Sequence, residues 1–444
     1  MQQDLGRFGD RRLRQGGADL LARLMAIGPS GARVRPLGGD RAGEVRFGRF
    51  LHNPAVTPKE MIATAAAHTA SLVQGRHVLA IQDTTTLRDD GDQNSLNLHV
   101  MIAVDARDGA LLGPVHAEFL RHQGGMRVGC GKRPFEQKES FRWLAATREA
   151  GKLMTAGATR VTVVADRECD IYEEFALRPP NVDLVIRVRH DRVLADGRRL
   201  SVHTRDLAEL GRETITLPDA PGRRAREAVI ALRACPVTLK RPMRNRAAEA
   251  ARLPAKVRLT LVEAREVRPP PGTTPVHWLL LTTHAAARFT AARRVTSFYR
   301  GRWTIEQVNR TMKTEGFRIE TSRVAAGGPF ENLAAAVLIA AVQVMQLVRD
   351  RDGTAHRPLA DVFDAADQPA LEAVCATLEG KTARQKNPHK RGTLAFATWV
   401  CARLGGWTGY YGKPGPIVIL RGLLLFKAMR RGCEVGLAMR SEPQ

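Results

Sequence analysis

Two short apolar runs, His77–Gln82 and Val161–Ala165, each stop at an aspartate, Asp83 and Asp166. Apolar runs of this length, bounded by polar residues, read as buried strands. Between them, Leu98–Val104 and Leu111–Phe119 alternate around Asp108-Gly109, a strong hairpin signal. Glu136–Thr155 then reads as a helix, a helical run starts at Ile171, and Asp183–Val188 reads as another strand. The order strand, hairpin, helix, strand, helix, strand predicts an α/β chain with a mixed sheet and helices on its faces. The polar run Thr84-Thr85-Thr86 is expected to close the first strand. Both aspartates are then expected at strand carboxyl ends, where the crevice of such a sheet can collect them. Each taken alone has a plain alternative as a turn or helix N-cap residue.

The flanks differ in composition. Residues 1–72 carry a helical apolar rhythm (Leu13, Leu20, Leu21, Leu24, then Met61–Leu72) interrupted by Arg11, Arg12, Arg14, Arg23, Arg46 and Arg49. A small basic helical domain that contacts DNA fits this density of arginine, with a merely cationic helical surface as the alternative. Residues 73–345 hold the sheet pattern, and within them residues 190–275 read as a β-rich insertion. Its expected strands, Glu227–Val237 and Lys256–Val267, surround the basic segment Lys240–Arg246. Residues 346–444 read as a helical C-terminal domain. The most apolar stretch, Leu333–Val348, carries Gln343 and Gln346 and reads as a buried core helix, too short for a membrane span.

The chain has 444 residues, with 69 Lys+Arg against 45 Asp+Glu and a net charge of +24. Such a field suits a polyanion partner better than a small metabolite. No amphipathic basic helix or lipid anchor supports a membrane partner. The six cysteines are scattered without a C-x-x-C pair, which argues against structural zinc and a disulfide scaffold. The polar, charged N-terminus is unlike a secretory signal, so a cytoplasmic location is expected.

Tyr299–Lys313 reads as one helix despite its glycine. At about 100° per residue, Tyr299, Arg302, Glu306 and Lys313 share a strip about 60° wide and about 21 Å long. One carboxylate among cations suits a place where metal and phosphate meet. The plain alternative is a solvated face with an Arg302–Glu306 pair at i,i+4. With Asp83 and Asp166, Glu306 would complete three hard oxygen ligands suited to Mg²⁺ or Mn²⁺.

The spacing of those four residues resembles the Y-x2-R-x3-E-x6-K signature of bacterial insertion-sequence DDE transposases, the group of the transposon-five enzyme. Ile81-Gln82-Asp83-Thr84-Thr85 resembles that family's first-aspartate segment, and Asp166-Arg167-Glu168-Cys169-Asp170-Ile171 its second. Lys138–Trp143, the segment from Trp278, Gly9–Arg12, Arg49–Asn53 and Ala402–Gly406 are similar as well, so the resemblance covers essentially the whole chain. It implies an RNase H-like (retroviral-integrase-like) catalytic core with a β-rich insertion, an N-terminal domain that binds transposon ends, and a helical C-terminal dimerisation domain. It further implies that Asp83, Asp166 and Glu306 hold two divalent ions. Tyr299, Arg302 and Lys313 would then grip the phosphate near a flipped base, with Trp278 stacking at that base and Arg187 contacting DNA. The expected activity is cut-and-paste transposition by a homodimer on double-stranded DNA: cleavage of terminal inverted repeats by phosphoryl transfer, then joining of 3′-hydroxyl ends to target DNA. A nucleoid-associated location would follow.

The segment between Asp83 and the Leu98 strand is shorter than is usual in that family, and the chain begins almost at the Gly9–Arg12 motif. The short segment motivates a second reading, a catalytically inactive DNA-binding remnant or inhibitor of transposition. A housekeeping nuclease on the same fold is a third, but it leaves the end-gripping side chains without purpose.

Overall fold

The N-terminal arginine-rich segment forms helices because its polar breaks supply caps. In the computed structural model, Asp40 accepts a hydrogen bond from the Gly43 amide at one helix start. Thr57 does the same for the Glu60 amide at the next, with Pro58 in the first turn. The structure describes residues 4–27, 31–89, 95–122, 134–204, 207–217, 224–242, 252–314, 316–410 and 412–441.

In chain order the elements begin with α1 (Arg11–Ile27), α2 (Val34–Gly38), α3 (Arg41–His52) and α4 (Pro58–Ser71). Next come β1 (His77–Asp89), β2 (Ser95–Asp105), β3 (Leu111–His122), α5 (Phe141–Thr155), β4 (Arg160–Ala165), α6 (Tyr172–Leu177) and β5 (Val182–Arg187). They continue with α7 (Leu200–His203), β6 (Gly211–Leu217), β7 (Arg226–Lys240), β8 (Lys256–Glu266), β9 (His277–Thr282) and α8 (Phe289–Gly301). The last are α9 (Trp303–Lys313), α10 (Gly328–Asp350), α11 (Gln368–Leu378), α12 (Leu394–Leu404) and α13 (Pro416–Ser441). The protein is therefore mixed α/β with helical ends, and its nine-stranded mixed sheet has the order β3-β2-β1-β4-β5-β9-β8-β7-β6.

The chain divides into two compact units, residues 1–72, 84–124 and 304–444 in one and residues 73–83 and 125–303 in the other. In the first, β2 and β3 form the expected antiparallel hairpin. Its turn uses Gly109 at φ +75°, and the Asp108 carboxylate accepts from the Ala110 amide. Helix α10 runs through this unit with Leu333–Val348 buried, in contact with α1, α3, α4, β3, α12 and α13. Among the described residues it is the one helix long and apolar enough to cross a membrane. Its apolar surface is covered by protein on all sides, as expected for a core helix.

In the second unit, β1 pairs parallel with β4 and β4 parallel with β5. The β-rich stretch continues the same sheet rather than forming a separate layer, because β9 joins β5 to β8, and β7 and β6 follow. Of the basic segment Lys240–Arg246, residues 243–246 lie outside the described residues.

Two expectations are corrected. Strand β1 does not close at Asp83 but continues to Asp89. The threonines that follow are β-branched and favour a strand. Their hydroxyls also bond across the sheet, Thr84 with His99 at 2.9 Å and Thr86 with Asn97 at 2.8 Å. The strip Tyr299–Lys313 is not one helix. It breaks at Arg302, whose amide turns back to Tyr299 and Arg300 carbonyls, next to the weak helix former Gly301.

Candidate active site

The parallel register decides the geometry around the aspartates. Ile81 lies opposite Val164 in the β1–β4 pair, and Ala165 lies opposite Ile186 in the β4–β5 pair. Extending those registers puts Asp83, Asp166 and Arg187 at one level across three adjacent strands, each step about 5 Å. All three point to the same face, since side chains alternate along a strand and neighbours share a face.

Helix α8 covers that face. His77 and Thr162, which belong to the same side-chain rows, hydrogen-bond at 2.9 Å, and the His77 ring meets Phe298 edge-on at 5.1 Å. Near the helix end, Gly301 has room for only ordinary contact with Leu79, so α8 lies close to β1. Tyr299 is thereby delivered beside Asp166.

The result is a chain of polar contacts centred on Asp166. The Tyr299 hydroxyl donates to Oδ1 at 3.2 Å, and Arg187 donates to that hydroxyl at 3.5 Å. The guanidinium nitrogens of Arg187 and Arg302 stand 3.8 Å from Oδ1 and Oδ2. Burial pushes the Tyr299 phenol above its ordinary pKa, the charge of Asp166 adds to this, and Arg302 and Arg187 oppose it. The phenol therefore stays protonated at neutral pH and keeps donating. Trp278, two residues along β9 from the Leu280 that faces Arg187, meets the Tyr299 ring edge-on at 5.5 Å.

The structure thus gathers Asp166, Tyr299, Arg187, Arg302 and Trp278, with Asp83 level with them in the sheet. Two acids and two arginines on one half-exposed face place oxygen donors for a cation beside forked donors for an anion. The donors fit a hard divalent cation: both aspartates are half-buried, and the arginines stand beyond hydrogen-bonding length of Asp166, which leaves carboxylate lone pairs for a ligand. Among the described residues, no three His, Cys, Asp or Glu side chains form a ready-made metal cage.

Glu306 and Lys313 belong to the other unit, on α9. Glu306 is half-buried in the first turn of that helix. Lys313 donates to the Thr86 carbonyl at 2.7 Å and pairs with Glu320 at 2.8 Å. Its ammonium, expected on a phosphate, here ties α9 to the far half of β1. In the same unit a cleft of about 1030 Å³ between α1 and α3 presents Arg11, Arg12 and Arg49 around Phe50. The expected arginine surface of the N-terminal segment therefore has a concave form.

Asp170 is a positioning residue that the sequence reading did not single out. It is buried, and one carboxylate oxygen accepts from the Arg189 and His190 amides while the other pairs with Arg192 at 2.7 Å. It staples the loop after β5 to the loop after β4, which fixes the ends carrying Arg187 and Asp166. The signal was its place within the second-aspartate segment. Glu168 in that segment has the plainer role of pairing with Arg142 at 3.0 Å. No protein-family model matches the chain.

Proposed function

We propose that the protein is a DDE-type transposase, a divalent-metal-dependent enzyme that cleaves the ends of a mobile DNA element and joins them to target DNA. The observation that carries this reading is the alignment of Asp83, Asp166 and Arg187 at one level of three parallel strands, with Tyr299 bonded to Asp166. The strand order β3-β2-β1-β4-β5, with β1, β4 and β5 parallel and β2, β3 antiparallel, supports an RNase H-like core.

In this reading Asp83 and Asp166 hold Mg²⁺ or Mn²⁺, two ions on the family pattern, and Glu306 is assigned as the third carboxylate from its sequence spacing. Bound metal would lower the pKa of the attacking hydroxyl or water and neutralise charge on the phosphate. Oxygen then forms a bond to phosphorus as the opposite P–O3′ bond breaks, with the displaced oxygen leaving in line. Tyr299 holds the Asp166 carboxylate in one orientation through its hydroxyl. Arg187 and Arg302 offer forked donors to the phosphate oxygens. The Trp278 indole, fixed against Tyr299, offers a flat face to an unstacked base. The arginine cleft between α1 and α3 is assigned to the terminal repeats.

The test uses DNA flanking the gene that carries inverted repeats. Strand cleavage at the repeat ends is expected with Mg²⁺ or Mn²⁺. It should fall by roughly a thousandfold in Asp83→Asn, Asp166→Asn and Glu306→Gln, with DNA binding kept. Variants that still cleave at the normal rate would overturn the assignment. A DNA-binding protein without catalysis is the second reading, favoured by the engagement of Lys313 with Glu320 and Thr86. Stable complexes with no cleavage by the unaltered protein in either metal would select it.

A further inference from the structure

Residues 381–391 hold Lys381, Arg384, Lys386, Lys390 and Arg391 with no acidic residue among them. All five are exposed. Among the described residues only Arg391 has an acidic partner, Glu372 at 3.2 Å. A run of like charges is ordinarily a loose, solvated tail, but this one is pinned. Thr382 and Gln385 form a reciprocal capping box. Asn387 donates its amide to Glu379 at 2.9 Å and its side chain to the Phe396 carbonyl at 3.2 Å. Like charges held close in one conformation focus a positive field that attracts an external polyanion.

Aromatic rings border the same segment. Gly409, at φ +87° with the Arg384 carbonyl 3.0 Å from where a Cβ would stand, brings the chain tightly back onto residue 384. The next residue, Tyr410, is 46% exposed, and its hydroxyl lies 3.4 Å from the Thr382 hydroxyl. Trp407, which is half-buried, donates its indole N–H to the Gly412 carbonyl at 3.1 Å, which fixes the ring. Arg384 and Trp407 line both a cleft of about 720 Å³ that includes Tyr410 and a smaller one of about 300 Å³ that includes Lys386.

We propose that this corner binds an unpaired DNA segment, with phosphates on Arg384 and Lys386 and a base stacked on Tyr410. Aromatic platforms beside unneutralised cations suit single strands, because every base offers a π-face and every nucleotide a charge. The inference rests on the DNA-processing reading for the identity of the polyanion, and it adds a further DNA contact in a region otherwise assigned to dimerisation.

The experiment measures anisotropy of labelled oligothymidine with the full chain in EDTA, so the result does not depend on catalysis. Tyr410→Ala is expected to weaken binding about tenfold and Tyr410→Phe to stay within about twofold. Arg384→Ala combined with Lys386→Ala should lower the salt slope of log K by about 1.4, since each single-strand phosphate contact contributes about 0.7. Duplex of unrelated sequence should be indifferent to Tyr410→Ala. Unchanged affinity and slope in these variants would overturn the proposal, as would equal loss on duplex. Loss of binding to phosphatidylserine vesicles with oligothymidine binding intact would also overturn it, in favour of a lipid partner. Failure here alongside metal-dependent end cleavage would leave the catalytic reading standing.

Discussion

Asp166, at the end of β4, and Glu174, on α6, lie close in the chain but on opposite sides of the sheet, and the protein treats the two carboxyl groups differently. Asp166 is half-exposed on the α8 face, with a tyrosine hydroxyl at 3.2 Å and two guanidinium groups at 3.8 Å. Glu174 is fully buried on the α5 face. It accepts from Thr147 at 2.6 Å, which in turn takes a hydrogen bond from Gln82 at 3.3 Å. Burial pushes Glu174 up to about 7, against the lowering effects of the Thr147 hydrogen bond and Arg148. Its second oxygen has no hydrogen-bond partner, so ionising it would bury an uncompensated charge. The contrast teaches that a strongly perturbed carboxyl need not mark a reactive site. A metal ligand needs open lone pairs, and the carboxylate with solvent access and only loosely placed partners offers them.

The comparison breaks if changes on the two faces register in the same measurement. The largest expected effect is on stability, from Glu174→Gln. A carboxyl whose folded pKa is raised stabilises the fold fully below its unfolded value, near 4.5, and loses that contribution as pH rises to about 7. Above that the buried charge is a penalty of order 3 kcal/mol. The difference in denaturant midpoint between Glu174→Gln and the unaltered protein should therefore move in the variant's favour as pH rises from 4 to 8, because His284 and Asp350 titrate alike in both. A variant as pH-sensitive as the parent would show that the Glu174 carboxyl is not the source.

Next in size is Tyr299→Phe, which removes the donor to Asp166 while keeping the ring against Trp278. A hydrogen bond to a charged group contributes about 1.5 kcal/mol, so end cleavage should slow by about tenfold with an unchanged unfolding midpoint. Equal loss of stability would make Tyr299 a packing residue. The smallest effect is expected from Trp278→Leu. It gives up an edge-on aromatic contact of about 1 kcal/mol and should reduce cleavage of paired ends more than that of ends with a preformed mismatch. Equal reduction on both substrates would remove the base-stacking role.

Much of the sheet was legible in the sequence. The strand starting at His77, the strand that stops at Asp166, the Asp108-Gly109 hairpin and the buried α10 helix all rest on local periodicity and turn chemistry, which the chain carries within a few residues. The errors fall where neighbours override local pattern. Thr84–Thr86 looked like a polar exit and became strand because β2 offers His99 and Asn97 as partners. The single helix expected over Tyr299–Lys313 divides at Arg302, where the amide abandons the regular ladder. A different case is Lys313, expected on a phosphate, whose contacts with the Thr86 carbonyl and Glu320 depend on packing that its spacing does not encode.

The sequence by itself determined the residue types of the site, two acids that each follow an apolar strand and a Tyr, Arg, Glu and Lys at fixed spacing. Covalent order and side-chain period are local properties, so these survive any packing. Only the tertiary structure decided that Asp83, Asp166 and Arg187 stand level, because inter-strand register is set by hydrogen bonds between segments far apart in the chain. It also decided which carboxyl is buried and which is open to a ligand. Burial and the distances to Arg187, Arg302 and Tyr299 depend on packing that sequence spacing does not encode.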